Sequence, residues 1–155
     1  MIVSDSTLLI ALSRINRLDL LKEYFTEIYI PEEVYREVVE YGGDLFGAKE
    51  VKGAAWIKTG KVKDKLGVEI LMRNLDRGEA EAIVLAKETN AEVLLIDDKE
   101  GREIAEGLGI KISGTIGVLL LAAEDDKLNL KDSLDDLVAS GFRLGKEEYN
   151  KLIKK

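Results

Sequence analysis

The apolar run VLLI at 93–96 stops on two adjacent aspartates, Asp97 and Asp98. Two like charges at the end of a buried strand are costly unless something positive joins them: a helix N-terminus, a basic side chain or a metal ion. Asp5 follows another short apolar stretch, in VSDSTLL. Glu79, in GEAEAIVLA, shares a helical face with Ala82, Ile83 and Ala86 at i, i+3, i+4 and i+7, while Glu81 pairs with Glu88 on the opposite, solvated side. In IPEEVYREVVEY the buried stripe is Val34, Val38 and Tyr41. Glu37 lies roughly 65° from its centre, and Glu32, Glu33 and Glu40 lie farther round. Each acid has an ordinary explanation. Asp5 caps a helix, although Ser6 and Thr7 would serve as well and leave it free. Asp97 and Glu100 form an Asp-x-x-Glu capping box, which accounts for one of the aspartate pair. For Glu79 the ordinary explanation is the helix dipole, worth about 0.3–1 kcal/mol. That is a thin reason to put a carboxylate on an inward face.

Composition narrows the chemistry. The 155 residues include no histidine and no cysteine, so imidazole catalysis, thiolate chemistry, disulfides and the usual zinc sites are excluded. Carboxylates, hydroxyls, lysine and arginine remain, with whatever cofactor they hold. A formal net charge of -7 argues against a simple polyanion binder, so nucleic acid would need a local basic strip or bound cations. Glutamine is absent and Lys, Glu, Ile and Val are abundant, a thermophile-like composition. No apolar run reaches the roughly 18 residues of a membrane helix. The start, MIVSDSTLLIALSRINRL, lacks a basic region and a cleavage site, and reads as folded protein. Gly78, Gly101, Gly114 and Gly117 make no phosphate loop, because neither GxxxxGK[ST] nor a GxGxxG after a strand is present.

The elements that would position these acids alternate between strand and helix. MIVSD reads as a strand, TLLIALSRINRLDLLKEY as one helix and EIYI as a second strand. Pro31 takes a first helical position, and the helix it opens ends at the Gly42–Gly43 pair. AWIKTGKV is a short strand or loop, KDKLGVEILMRN a helix, and RGEAEAIVLAKETN a helix entered through Gly78. EVLLI, KEGREIAEGLG and IKIS read as strand, crossover helix and strand, followed by a helix over GTIGVLLLAAEDDKL and two more over 131–140 and 145–155. This predicts one α/β domain over 1–155, a three-layer α/β/α sandwich with a mostly parallel sheet of four or five strands. In such sheets ligands sit beyond the carboxyl ends of the strands, where Asp5, Asp97 and Asp98 lie.

Taken together, IVSDSTLLIAL, IPEEVYREV, LDRGEAEAIVLA and LLIDDKEGREIAEGLGIKISGTIGVLL resemble the PIN-domain nucleases, in particular the prokaryotic branch related to VapC-type toxins, over about residues 1–130. The resemblance implies a ribonuclease with four acids around Mg²⁺ or Mn²⁺. Asp5 matches the family's N-terminal aspartate, Glu37 its second acid, Glu79 its third and Asp98 its last. Ile96 stands where the family has a threonine, and either Asp97 or Asp98 is the ligand. Ser6 or Thr7 replaces the hydroxyl that follows the first aspartate, and Ser6, Lys99 and Arg102 are the candidate contacts to RNA. A cytoplasmic protein, an antitoxin partner and a homodimer are further implications. Hard divalent ions choose such oxygen ligands and need no histidine to deliver hydroxide to phosphorus. Two other readings compete: a non-catalytic binding module, and an aspartate-based phosphotransfer domain, for which residues 5–7 lack the second acid.

Overall fold

The computed structural model describes residues 1–42 and 45–154. Strands β1 (Ile2–Ser4), β2 (Ile28–Pro31), β3 (Ile57–Gly60), β4 (Val93–Leu95) and β5 (Ile112–Ser113) form one all-parallel sheet in the order β3-β2-β1-β4-β5. Side chains alternate between its faces, as the pleat requires. Ile2, Ile28, Ile30 and Leu95 meet one helical layer, and Val3, Leu94 and Ile96 meet the other. The first layer is built from α1 (Ser6–Arg14), α2 (Asp19–Phe25), α8 (Thr115–Glu124) and α9 (Leu130–Ala139), with α10 (Lys146–Ile153) packed beside them. The second holds α5 (Lys65–Leu71), α6 (Arg77–Glu88) and α7 (Lys99–Gly107). The expected three-layer sandwich is formed.

Several local expectations are corrected. The single helix expected over 7–24 is two, because Asn16 takes φ 59° and Arg17 N–H closes on Leu12 O at 2.8 Å, ending α1. Asparagine tolerates that left-handed conformation better than most residues. Pro31 is the last residue of β2 and the cap of α3 (Glu32–Tyr35), not a first helical position. α3 continues as a π-helical segment, Arg36–Glu40, in which Tyr41 N–H reaches back five residues to Arg36 O at 2.7 Å. The wider turn breaks the 3.6-residue register, so Val34 and Val38 stay buried while Tyr41 is 70% exposed. Gly43, half of the expected stop, lies outside the described residues, as does Lys155 at the end of the last expected helix. A short helix, α4 (Ala48–Lys52), was not anticipated.

Candidate active site at the carboxyl edge of β1 and β4

The chain runs from β1 to β2 and β3 on one side, then returns to β4 and β5 on the other. The strand order therefore reverses between β1 and β4, and their carboxyl ends bracket the crevice that this topology leaves open.

Asp5 follows β1 and is 1% exposed. It caps α1: Oδ1 accepts from Leu8 N–H at 3.3 Å. Asp5, not Ser6 or Thr7, thus does the capping. Ser6 Oγ instead donates to Glu37 Oε2 at 2.9 Å. Asp5 Oδ2 is buried with no hydrogen-bond partner among the described residues. Burial above all, then the charges of Asp97, Glu79 and Asp76, hold the Asp5 carboxyl well above the usual carboxylate range.

The adjacent aspartates divide their tasks in the opposite way to the capping box expected at Asp97 and Glu100. Asp98 caps α7, accepting from Gly101 N–H at 2.8 Å, and Glu100 accepts from Asn74 Nδ2 at 3.1 Å. Asp97 accepts from Thr115 N–H at 2.8 Å and from Thr115 Oγ1 at 2.6 Å, which ties it to the first turn of α8. Gly114 permits this approach: a Cβ there would stand 2.6 Å from Asp97 Oδ1 and 2.8 Å from Arg102 Nη1. Arg102 therefore sits beside Asp97, and its charge lowers a pKa that burial, the larger effect, raises. Ile96 is fully buried in the second layer against Gly101.

Glu79 enters α6 in a capping box with Asp76: Asp76 Oδ1 accepts from Glu79 N–H at 2.8 Å, and Glu79 Oε1 accepts from Asp76 N–H at 3.1 Å. Glu79 thus has a structural task other than the helix dipole expected for it, and its partner, Asp76, is a residue that the sequence reasoning passed over. Burial and the like charges of Asp76 and Asp98 raise Glu79 to about 7, against the pull of the Asp76 N–H. Glu37, on the π-helical segment, lies where a Cβ at Gly78 would collide with its Oε1. Its pKa is raised by burial and by Asp76, with the Ser6 hydroxyl opposing. Glu81 is less solvated than expected: its side chain is 14% exposed, accepts from Glu33 N–H at 3.4 Å and stands 3.9 Å from Arg77 Nη1. Glu88 accepts from Lys63 and Asp64 N–H rather than pairing with Glu81.

A cleft of about 470 Å³ is lined by Glu79, Asp97 and Asp98 and by Arg14, Phe142 and Arg143, while Asp5 and Glu37 are not among its lining residues. Lys99 and Arg102 line a neighbouring cleft. Among the described residues, no group of three or more acids stands close enough, as the side chains lie, to hold a metal ion. The donor chemistry nevertheless fits one, since all donors are hard oxygens and Asp5 Oδ2 is unmatched. Two residues of this site escaped the sequence reasoning. Asp76 repeats, with Glu79, the Asp-x-x-Glu pattern noticed at Asp97, and Thr115 follows β5 much as Asp5 follows β1.

The family described as DUF3368: PIN domain matches residues 1–155. No curated protein matches the chain. Among solved structures it is similar to a PilT N-terminus domain protein, SSO1118, from the hyperthermophilic archaeon Sulfolobus solfataricus P2. The identity is 18% over 94% of this chain and 98% of that one, with a TM-score of 0.52, a likeness of fold. The family match spans the whole sheet and its helices, and the chain belongs to the PIN-domain family, whose members are typically nucleases.

Proposed function

We propose that the protein is a Mg²⁺- or Mn²⁺-dependent ribonuclease that hydrolyses phosphodiester bonds at the carboxyl edge of β1 and β4. The supporting observation is Asp5 Oδ2, a buried carboxylate oxygen without a partner among the described residues, pressed by the charges of Asp97, Glu79 and Asp76. A carboxylate so placed is stable in its ionised form only with a cation beside it. Asp5, Glu37, Glu79 and Asp98 or Asp97 would hold the ion. When bound, a divalent ion supplies hydroxide near neutral pH and offsets charge on the leaving oxygen. The chain's own residues do the positioning. The first turn of α1 holds Asp5 Oδ1, Thr115 sets the plane of Asp97, and Ser6 orients Glu37.

Calorimetry with Mn²⁺ and an RNA-cleavage assay test this reading together. The expected result is micromolar Mn²⁺ binding and Mn²⁺-dependent cleavage, both lost in Asp5→Asn while circular dichroism is unchanged. A wild-type protein silent in both assays overturns it. That silence would favour a non-catalytic binding module, which the ungathered state of the acids supports. The ribonuclease reading extends to a cytoplasmic toxin acting as a homodimer and restrained by an antitoxin. Its checks are growth arrest on expression, relieved by Asp5→Asn, and a light-scattering mass twice that of one chain.

A further inference from the structure

The acids occupy only part of the cleft lining. The rest comes from the end of α1 and the turn between α9 and α10, which contribute Arg14, Phe142 and Arg143. Arg14 Nη1 donates to Ser140 O at 3.3 Å, a contact that places the guanidinium without neutralising it. Gly141, at φ 105°, gives the turn its shape, and a Cβ there would lie 3.8 Å from Arg14 Nη1. Among the described residues neither Arg14 nor Arg143 pairs with a carboxylate, whereas Arg36 and Arg77 both do. Arg17 and Arg73 are likewise in no ion pair among the described residues, so what sets Arg14 and Arg143 apart is their place: both line the cleft that Glu79, Asp97 and Asp98 line. A second cleft, about 680 Å³, shares Asp97, Phe142 and Arg143 with the first. Arg143 and Phe142 thus stand at the junction of two hollows, each of a size that takes a nucleotide or two. The second hollow carries Glu103, Glu106 and Glu148 beside Lys99 and Arg102, so its own lining is mixed and the grip falls on the junction.

Resting on the ribonuclease reading, we propose that Arg14 and Arg143 are the phosphate-holding residues of the cleft. They guide an unpaired RNA strand past the acids and across Phe142, which offers its ring to one base. The two cations offset the repulsion that an acidic protein exerts on a polyanion, and do so where the phosphates must come closest to carboxylates. An aromatic ring at the junction favours a strand with free bases, because only unpaired bases expose a face to stack.

The test is fluorescence anisotropy of a labelled 12-nucleotide mixed-sequence RNA, single-stranded or annealed, with Ca²⁺ replacing Mg²⁺ to suppress cleavage. Arg14→Ala and Arg143→Ala are each expected to weaken single-strand binding about fivefold to tenfold and to lower the salt slope by about 0.7. Arg14→Lys and Arg143→Lys restore the slope, and Phe142→Leu weakens binding about tenfold. Under turnover the alanine variants raise KM with kcat within about twofold, and their Mn²⁺ binding by calorimetry is that of wild type. If wild type cleaves RNA while the arginine variants keep its affinity and salt slope, the inference falls and the ribonuclease reading stands. If the duplex binds as tightly as the single strand, the assignment of an unpaired strand falls. If wild type neither binds nor cleaves RNA, both readings fall.

Discussion

Two groups of acids lie along the same edge of the sheet, and their partners differ. Beyond β2, Glu33 and Glu81 each have a guanidinium: Arg36 at 2.9 Å from Glu33 and Arg77 at 3.9 Å from Glu81. Beyond β1 and β4, Asp5, Glu79 and Asp98 are held by backbone N–H groups, and among the described residues Asp97 is the one of the four with an arginine beside it. The pKa shifts differ in one respect. Burial and the Glu33 charge raise Glu81, and the Glu33 N–H, then Arg77 and Arg36, oppose them. Burial, Asp97, Glu79 and Asp76 all raise Asp5, and only the Leu8 N–H opposes them. The first group is complete within the chain. The second leaves negative charge unmatched in a cleft, which is the electrostatic condition for taking a cation from solution.

The largest expected effect separates two glutamates only two residues apart on α6. Glu79→Gln should lose Mn²⁺-dependent RNA cleavage by more than about 100-fold, exceeding what outer partners of a metal site cost. Glu81→Gln should leave cleavage unaltered and shift stability by no more than about 1 kcal/mol in urea unfolding, as for partly exposed ion pairs. Equal activity of the two variants would erase the distinction between the groups. Thr115→Val comes next. It keeps the shape of the side chain but removes a donor from Asp97, and should weaken Mn²⁺ binding about 10- to 100-fold in calorimetry, with Thr115→Ser close to wild type. The smallest effect is a pH dependence. Asp5 and Glu79 have raised pKa values in the folded chain, Glu79 to about 7, so the native state holds more protons than the unfolded one. Stability from these groups is present below about 4.5 and is lost as pH rises towards about 7. In chelator, Tm should fall across that window, and Mn²⁺ should flatten the fall by binding the ionised form. A Tm that rises through the window would contradict the unneutralised state of the acids.

Much of this was legible beforehand because it is written in short-range pattern. The strands at 93–96 and 2–4 and the inward face of α6 follow from apolar spacing that any neighbouring layer would satisfy. The failures have physical causes. Tyr41 left the stripe because a π-helical turn changed the period, and no composition marks such a turn. The capping of α7 passed from Asp97 to Asp98 because a partner for Asp97 arrived from α8. Asp76 was passed over although its pattern with Glu79 matched the template applied elsewhere. Arg14 and Arg143 line one cleft from positions more than a hundred residues apart, beyond the reach of periodicity.

By itself the sequence determined the alternation of strands and helices, the parallel sheet, and the acids that punctuate strand ends. The alternation and the strand-end acids depend on residues within one or two turns of each other, and a parallel sheet is what such alternation implies. Only the tertiary structure decided which hydrogen bonds each acid keeps. The donor that orients Asp97 comes from 18 residues away and the hydroxyl on Glu37 from 31 residues away. Charge compensation inside a protein is a matter of distance in space. Two acids alike in sequence become different groups once one of them is packed beside an arginine and the other is not.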